Sequence, residues 1–177
     1  YEQHKSCYYR VVIEKSLIKK RKYILMKDNK ILFTAKQKDN EIFIGEGNDV
    51  HIKKDKMIKK SKIIQNLDGF NDVITDEQEF KIKYDQANFS LEVTFMHNGM
   101  NTNWAPKNIQ NLKNLNVQFD HIPIQSKKNI ILQNQARHTT FIFRKMDKKC
   151  FEAECHLSVS PLVVFAIAIS QIIGPYN

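Results

Sequence analysis

Three groups of residues in this chain have types and spacing that could do chemistry. Cys150, Cys155 and His156 are metal-ligand types close together. A five-residue Cys–Cys offset with no second pair lacks the spacing of a tetrahedral zinc site. His4, His51, His97, His121 and His138 add no ligand spacing, so neither a metal nor a cofactor is expected. Glu152 and Glu154 stand two apart in a strand-like pattern, so their carboxylates share one face, as an acid–base pair would. On the last hairpin they are expected instead to form its solvent face. No Gly-rich phosphate loop, His-Glu-x-x-His or nucleophile elbow occurs, and no catalytic residue is assigned. The third group is the lysines.

The 177 residues hold 28 Lys+Arg against 19 Asp+Glu, a net charge of +9. Residues 1–62 hold 17 Lys+Arg and 8 Asp+Glu, and residues 63–177 hold 11 of each. A one-sided basic excess implies an anionic partner: a membrane surface, a nucleic acid or an acidic protein. The dominance of 24 Lys over 4 Arg is what compositional drift would produce, but drift does not explain the asymmetry. Tyr8, Tyr9 and Tyr23 lie near the basic third, yet no RNA-binding signature appears, so nucleic acid is not the expected partner.

The length suits one domain over 1–177, with residues 1–20 read as a basic N-terminal extension. Three cysteines are too few for a disulfide framework, and free thiols point to a reducing, cytoplasmic setting. The chain opens at Tyr1 without an apolar signal segment, so a longer parent protein is expected.

Most of the chain must position those residues on strands. Tyr23–Met26 and Ile31–Ala35 flank Lys27-Asp28-Asn29-Lys30, a tight-turn sequence, and Glu41–Ile44 follows as a third strand. Asp49 to Lys62 reads as an exposed strand and a loop. Phe80–Tyr84 and Phe89–Phe95 alternate apolar and polar residues, with a turn at His97-Asn98-Gly99. Asn101 to Asn116, Asn-rich with Pro106, reads as a surface loop. Asn129–Gln133 precedes a hairpin of Thr140–Arg144 and Phe151–Cys155.

The end is different. Ser160 is an N-cap type, Pro161 fits the first helical position, and Gly174-Pro175 is a stop. From Leu162 to Ile173 only Ser170 and Gln171 are polar. A helix apolar on nearly all sides must lie within apolar material, and this one is well short of the ~20 residues that span a bilayer. About ten strands and one such helix predict a closed antiparallel β-barrel wrapped around a central C-terminal helix, 160–173. A lipid-anchoring C-terminal segment is the competing reading.

Pro161-Leu162 followed by Phe165-Ala166-Ile167-Ala168-Ile169-Ser170 resembles the closing signature of the tubby C-terminal domain family. Cys150–Cys155 falls where that family has its penultimate core strand, and Arg137–Phe141 roughly where it runs through a Gly-Arg turn. Lys83–Phe89 through Thr94–Gly99 is similar to its Gly-Lys-Leu-Arg-Ser-Asn strand pair. Ile31–Lys38 is similar to its Phe-Leu-Leu-Ala-Arg-Lys-Arg strand. Only the C-terminal signature is specific, and the chain is shorter than typical members.

The resemblance implies a twelve-stranded barrel around a central helix, and a non-catalytic phosphoinositide-binding adaptor at the plasma or ciliary membrane. Carried over residue by residue, it implies that Lys36, Lys38 and Lys83 contact the headgroup. Asn40 could donate to a phosphate, and Lys53, Lys54 and Lys56 could add basic surface. Asp85 stands where the family has a second basic residue, which would weaken such a site. The competing expectation is a structural scaffold that docks its basic face onto an acidic assembly, such as a ciliary microtubule, without binding lipid.

Overall fold

The computed structural model describes residues 6–15, 21–48, 61–87, 89–109, 123–156 and 158–175. It contains twelve strands and one helix. The strands are β1 (Ser6–Lys15), β2 (Arg21–Lys27), β3 (Lys30–Lys38), β4 (Glu41–Glu46), β5 (Ser61–Gln65) and β6 (Phe70–Ile74). They continue with β7 (Glu79–Asp85), β8 (Ser90–His97), β9 (Met100–Lys107), β10 (Ile130–Gln133), β11 (Thr139–Lys145) and β12 (Cys150–His156). The helix, α1, is Pro161–Ile173.

Each strand pairs antiparallel with its sequence neighbours, and β1 pairs with β12 to close the barrel. Two-residue alternation drives the closure, because only one face of each strand can be buried inside. Cys7, Tyr9, Val11 and Ile13 on β1 point inward, as do Phe80, Ile82 and Tyr84 on β7. The β2–β3 turn carries Asp28 and Asn29 at φ +51° and +62°, the left-handed pair that a two-residue hairpin requires. A ring file from Trp104 through Phe141 and Phe143 to Phe151 lines one side of the interior.

Helix α1 fills the barrel. Every residue from Leu162 to Ile172 is buried, and the central Phe165 to Ile169 are at 0% exposure. Ser160 Oγ accepts from Leu162 N at 3.3 Å, and Gly174, at φ +76°, donates its N–H to Ser170 O at 3.0 Å. The two polar helix residues anchor one end of α1 to the wall. Asn71 Nδ2 donates to Ser170 Oγ at 3.0 Å, and the Tyr84 hydroxyl donates to Ser170 O at 2.9 Å. Gln171 Nε2 donates to Phe89 O at 3.0 Å and to Lys128 O at 3.2 Å. Among the described residues no helix is long and apolar enough to cross a membrane.

Two expectations are corrected. Residues 6–15 are not an extension but β1, the strand that closes the barrel; their alternation supplies one face to the core. Residues 100–107 are not loop but β9. There Trp104 turns inward at 3% exposure, while outward Asn103 donates to Glu92 Oε1 at 2.8 Å and to Thr94 Oγ1 at 3.0 Å. The Asn-rich run was thus a strand face that bonds to its neighbour. Strands β5 and β6 also stand where the pattern marked little: Lys62 is in β5, and 63–74 carried no assignment.

Replacing Ala168 with Asp puts an unpaired charge at a fully buried site, costing several kcal/mol against a total of about 5–15 kcal/mol. We expect no cooperative thermal transition in that variant; a folded, soluble Ala168→Asp protein would refute the central-helix architecture. Alkaline pH is the second test. Burial pushes the Cys155 thiol up from 9.0 to about 12 and the Tyr84 hydroxyl from 10.0 to about 12. Folded pKa values above the unfolded ones mean stability is whole below pH 9 and is lost as pH rises toward 12. Urea unfolding against pH should fall in that window, and Cys155→Ala should reduce the part that begins near pH 9, which the half-buried Cys150 thiol shares.

Candidate functional site

In a meander, alternate connections lie at opposite ends of the barrel. The C-terminus of α1 marks one end, where the β1–β2, β3–β4, β5–β6, β7–β8 and β11–β12 connections and the segment entering β10 all lie. Lys36, Lys38 and Asn40 reach this end on the β3–β4 hairpin, with both lysines exposed. Asn40 Nδ2 donates to Gln65 O at 3.2 Å, so one of its donors holds the β5 end rather than facing outward.

Lys83 is not brought to that hairpin. It lies on β7, four strands round the wall from β3, or about 19 Å at the usual strand spacing. Its register partners are Phe70 and Glu92, and its ammonium sits 5.9 Å from the Phe70 ring centroid. Lys53, Lys54 and Lys56 lie outside the described residues. Lys36 and Lys38 thus share one hairpin, while Lys83 stands on a strand four places away round the sheet.

A different set of cations converges at the mouth. Lys128 precedes β10, half-buried, with its ammonium 3.8 Å from where a Cβ on Gly174 would stand. Burial lowers its pKa, and Arg21 and Lys145 lower it further by like-charge repulsion. Lys145 has the inward parity of β11, two residues past Phe143. Arg21 sits beside the buried Tyr23 hydroxyl, whose pKa burial raises and Arg21 pulls back. Among the described residues, none of Arg21, Lys128 and Lys145 forms an ion pair with a carboxylate. Lys128 stands against the C-terminus of α1, where its charge complements the helix half charge.

A cavity of about 430 Å³ opens beside Lys128, between the β7–β8 turn and the end of α1. Asp85, Phe89, Ser90, Lys127 and Gln171 line it. The Ser90 hydroxyl is buried without a hydrogen-bond partner, a donor left for something in the cavity. A larger hollow of about 730 Å³ at the opposite end is lined by Cys7, Tyr9 and Lys27, whose polar groups already engage one another: Lys27 Nζ donates to Cys7 Sγ at 3.3 Å. Arg21 lies in the run Lys19-Lys20-Arg21-Lys22, Lys128 follows Lys127 and Lys145 follows Arg144, but nothing local in the sequence brings these three short basic runs together.

The paired carboxylates have another task. Glu152, expected on the solvent face, is only 5% exposed. It receives Arg144 Nε at 2.7 Å and a second contact from the same guanidinium, which is fully buried. Arg144 Nη1 also donates to Glu154 Oε2 at 3.1 Å, and the Tyr8 hydroxyl to Glu154 Oε1 at 3.3 Å. The correction has a simple cause: Arg144 lies directly across from Glu152, and a buried guanidinium needs carboxylate partners. Cys150 and Cys155, an odd offset apart, fall on opposite faces of β12. Among the described residues no group of three or more His, Cys, Asp or Glu could hold a metal ion. No family model matches the chain, and no curated protein matches it.

Replacing Arg144 with Ala leaves Glu152 buried and unpaired and should cost about 3–5 kcal/mol in urea unfolding. Pairing Arg144→Met with Glu152→Leu should recover most of that loss. Equal losses in the single and double variants would show that the ion pair is not what holds this wall.

Proposed function

We propose that this barrel is a non-catalytic, phosphoinositide-binding membrane adaptor of the tubby-like type, with ciliary trafficking as the setting the resemblance implies. The observation that carries the reading is the convergence of Arg21, Lys128 and Lys145 at one barrel mouth without carboxylate partners among the described residues. Phosphate groups are the natural complement to such a cluster, since each accepts charge-assisted hydrogen bonds from several donors. Lys36 and Lys38 extend the basic field at the same end, and each cation near an anionic leaflet contributes about 1 kcal/mol. Asp85, which lines the adjacent cavity, favours the second reading, a scaffold that docks on an acidic protein surface without lipid.

Vesicle flotation separates the two. Binding should rise when phosphatidylinositol bisphosphate is added to phosphatidylcholine. The Lys128→Ala, Lys145→Ala double variant should lose roughly 2 kcal/mol, or about thirtyfold in affinity. Equal flotation with and without the bisphosphate would rule out the lipid reading.

A further inference from the structure

Five large apolar side chains are exposed among the described residues: Leu67 at 77%, Phe89 at 56%, Met96 at 46%, Met100 at 71% and Ile124 at 44%. Single exposed apolar residues are ordinary on a protein surface. Their distribution is not. Met96 and Met100 flank one hairpin at the end of the barrel where α1 begins. Leu67, Phe89 and Ile124 occupy three separate tips at the opposite, basic end: the β5–β6 turn, the β7–β8 turn and the segment entering β10.

Each of the last two is held against the cationic mouth. The Lys127 ammonium stands 4.3 Å from the Phe89 ring centroid, and Ile124 N donates to Lys145 O at 2.8 Å. Phe89 also adopts φ +50°, a left-handed conformation that bulky residues avoid. Gln171 of α1 fixes that backbone by donating to Phe89 O at 3.0 Å. A strained backbone that presents an aromatic ring outward gains nothing for the core, so the strain points to a use outside it. Among the described residues the other end carries Asp76, Glu77 and Glu79 around one turn and Lys27 and Lys30 around another, without the basic excess of the mouth.

We infer that the barrel docks end-on onto an anionic bilayer, with Leu67, Phe89 and Ile124 inserted among the lipids and the surrounding cations level with the headgroups. The partner is the lipid surface itself rather than a free headgroup, because a soluble phosphate would leave the three apolar tips in water. Aromatic and aliphatic anchors ringed by basic residues combine hydrophobic insertion with attraction to anionic lipid. This inference rests on the membrane-binding reading above and adds its orientation and its apolar contribution.

The test uses vesicles of phosphatidylcholine, phosphatidylserine and phosphatidylinositol bisphosphate. The variant combines Leu67→Ser with Ile124→Ser, two exposed tips that do not line the cavity beside Lys128. Its partitioning should fall about tenfold or more, while binding of soluble inositol trisphosphate stays unchanged. A Met96→Ser, Met100→Ser variant should partition as the native protein does. A tryptophan introduced as Leu67→Trp should be quenched by lipids brominated on the acyl chain. Native partitioning by the Leu67→Ser, Ile124→Ser variant, or an equal loss in the Met96→Ser, Met100→Ser variant, would overturn the docking orientation while leaving headgroup binding intact. Failure of the native chain to bind these vesicles at all would overturn the membrane reading and the orientation with it.

Discussion

A helix that is apolar on every side has to be enclosed on every side. From Leu162 to Ile172 helix α1 offers no solvent face, so the chain needs a wall that surrounds it, and a closed sheet is the arrangement that does so without leaving an edge. The inward residues of all twelve strands then share one core with the helix. This also explains why β1 belongs to the barrel: without it, β2 and β12 would be open edges beside a helix that tolerates no water.

The two polar helix residues convert that packing into a positioned mouth. Ser170 and Gln171 sit at the end of α1, where they bond to Asn71, Tyr84 and the backbone of Phe89 and Lys128. Those bonds fix the depth of the helix and, through the same atoms, the β7–β8 turn and the segment that carries Lys128. The mouth with Lys128 therefore lies at the place where the core becomes polar. Arg144, Glu152 and Glu154 show the complementary case, in which charged groups bearing catalytic potential on paper are spent on holding one another.

Strong periodic segments were legible in the sequence. The Lys27–Lys30 turn, the alternation in Phe80–Tyr84 and the capped helix all follow from local residue types. Strand β9 was not, because its outward face is Asn-rich and Pro106 lies within it, both ordinary loop signals; the inward Trp104 decides the matter only once there is an interior for it to enter. Glu152 was misread for a related reason, since its burial depends on a residue eight positions earlier in the chain.

The sequence alone determined that the helix must lie within apolar material, and the strand pattern of the rest favoured a closed barrel as its enclosure over a lipid anchor. It did not determine where the charge goes. By sequence the basic excess belongs to residues 1–62. In the folded chain Lys127, Lys128 and Lys145, all from the neutral remainder, join Arg21, Lys36 and Lys38 at one end. Lys83 stands on β7, four strands round the sheet from Lys36 and Lys38, with its ammonium over the Phe70 ring. The reason is topological: an antiparallel meander sends successive connections to opposite ends, so which cations become neighbours depends on strand parity and register rather than on distance along the chain.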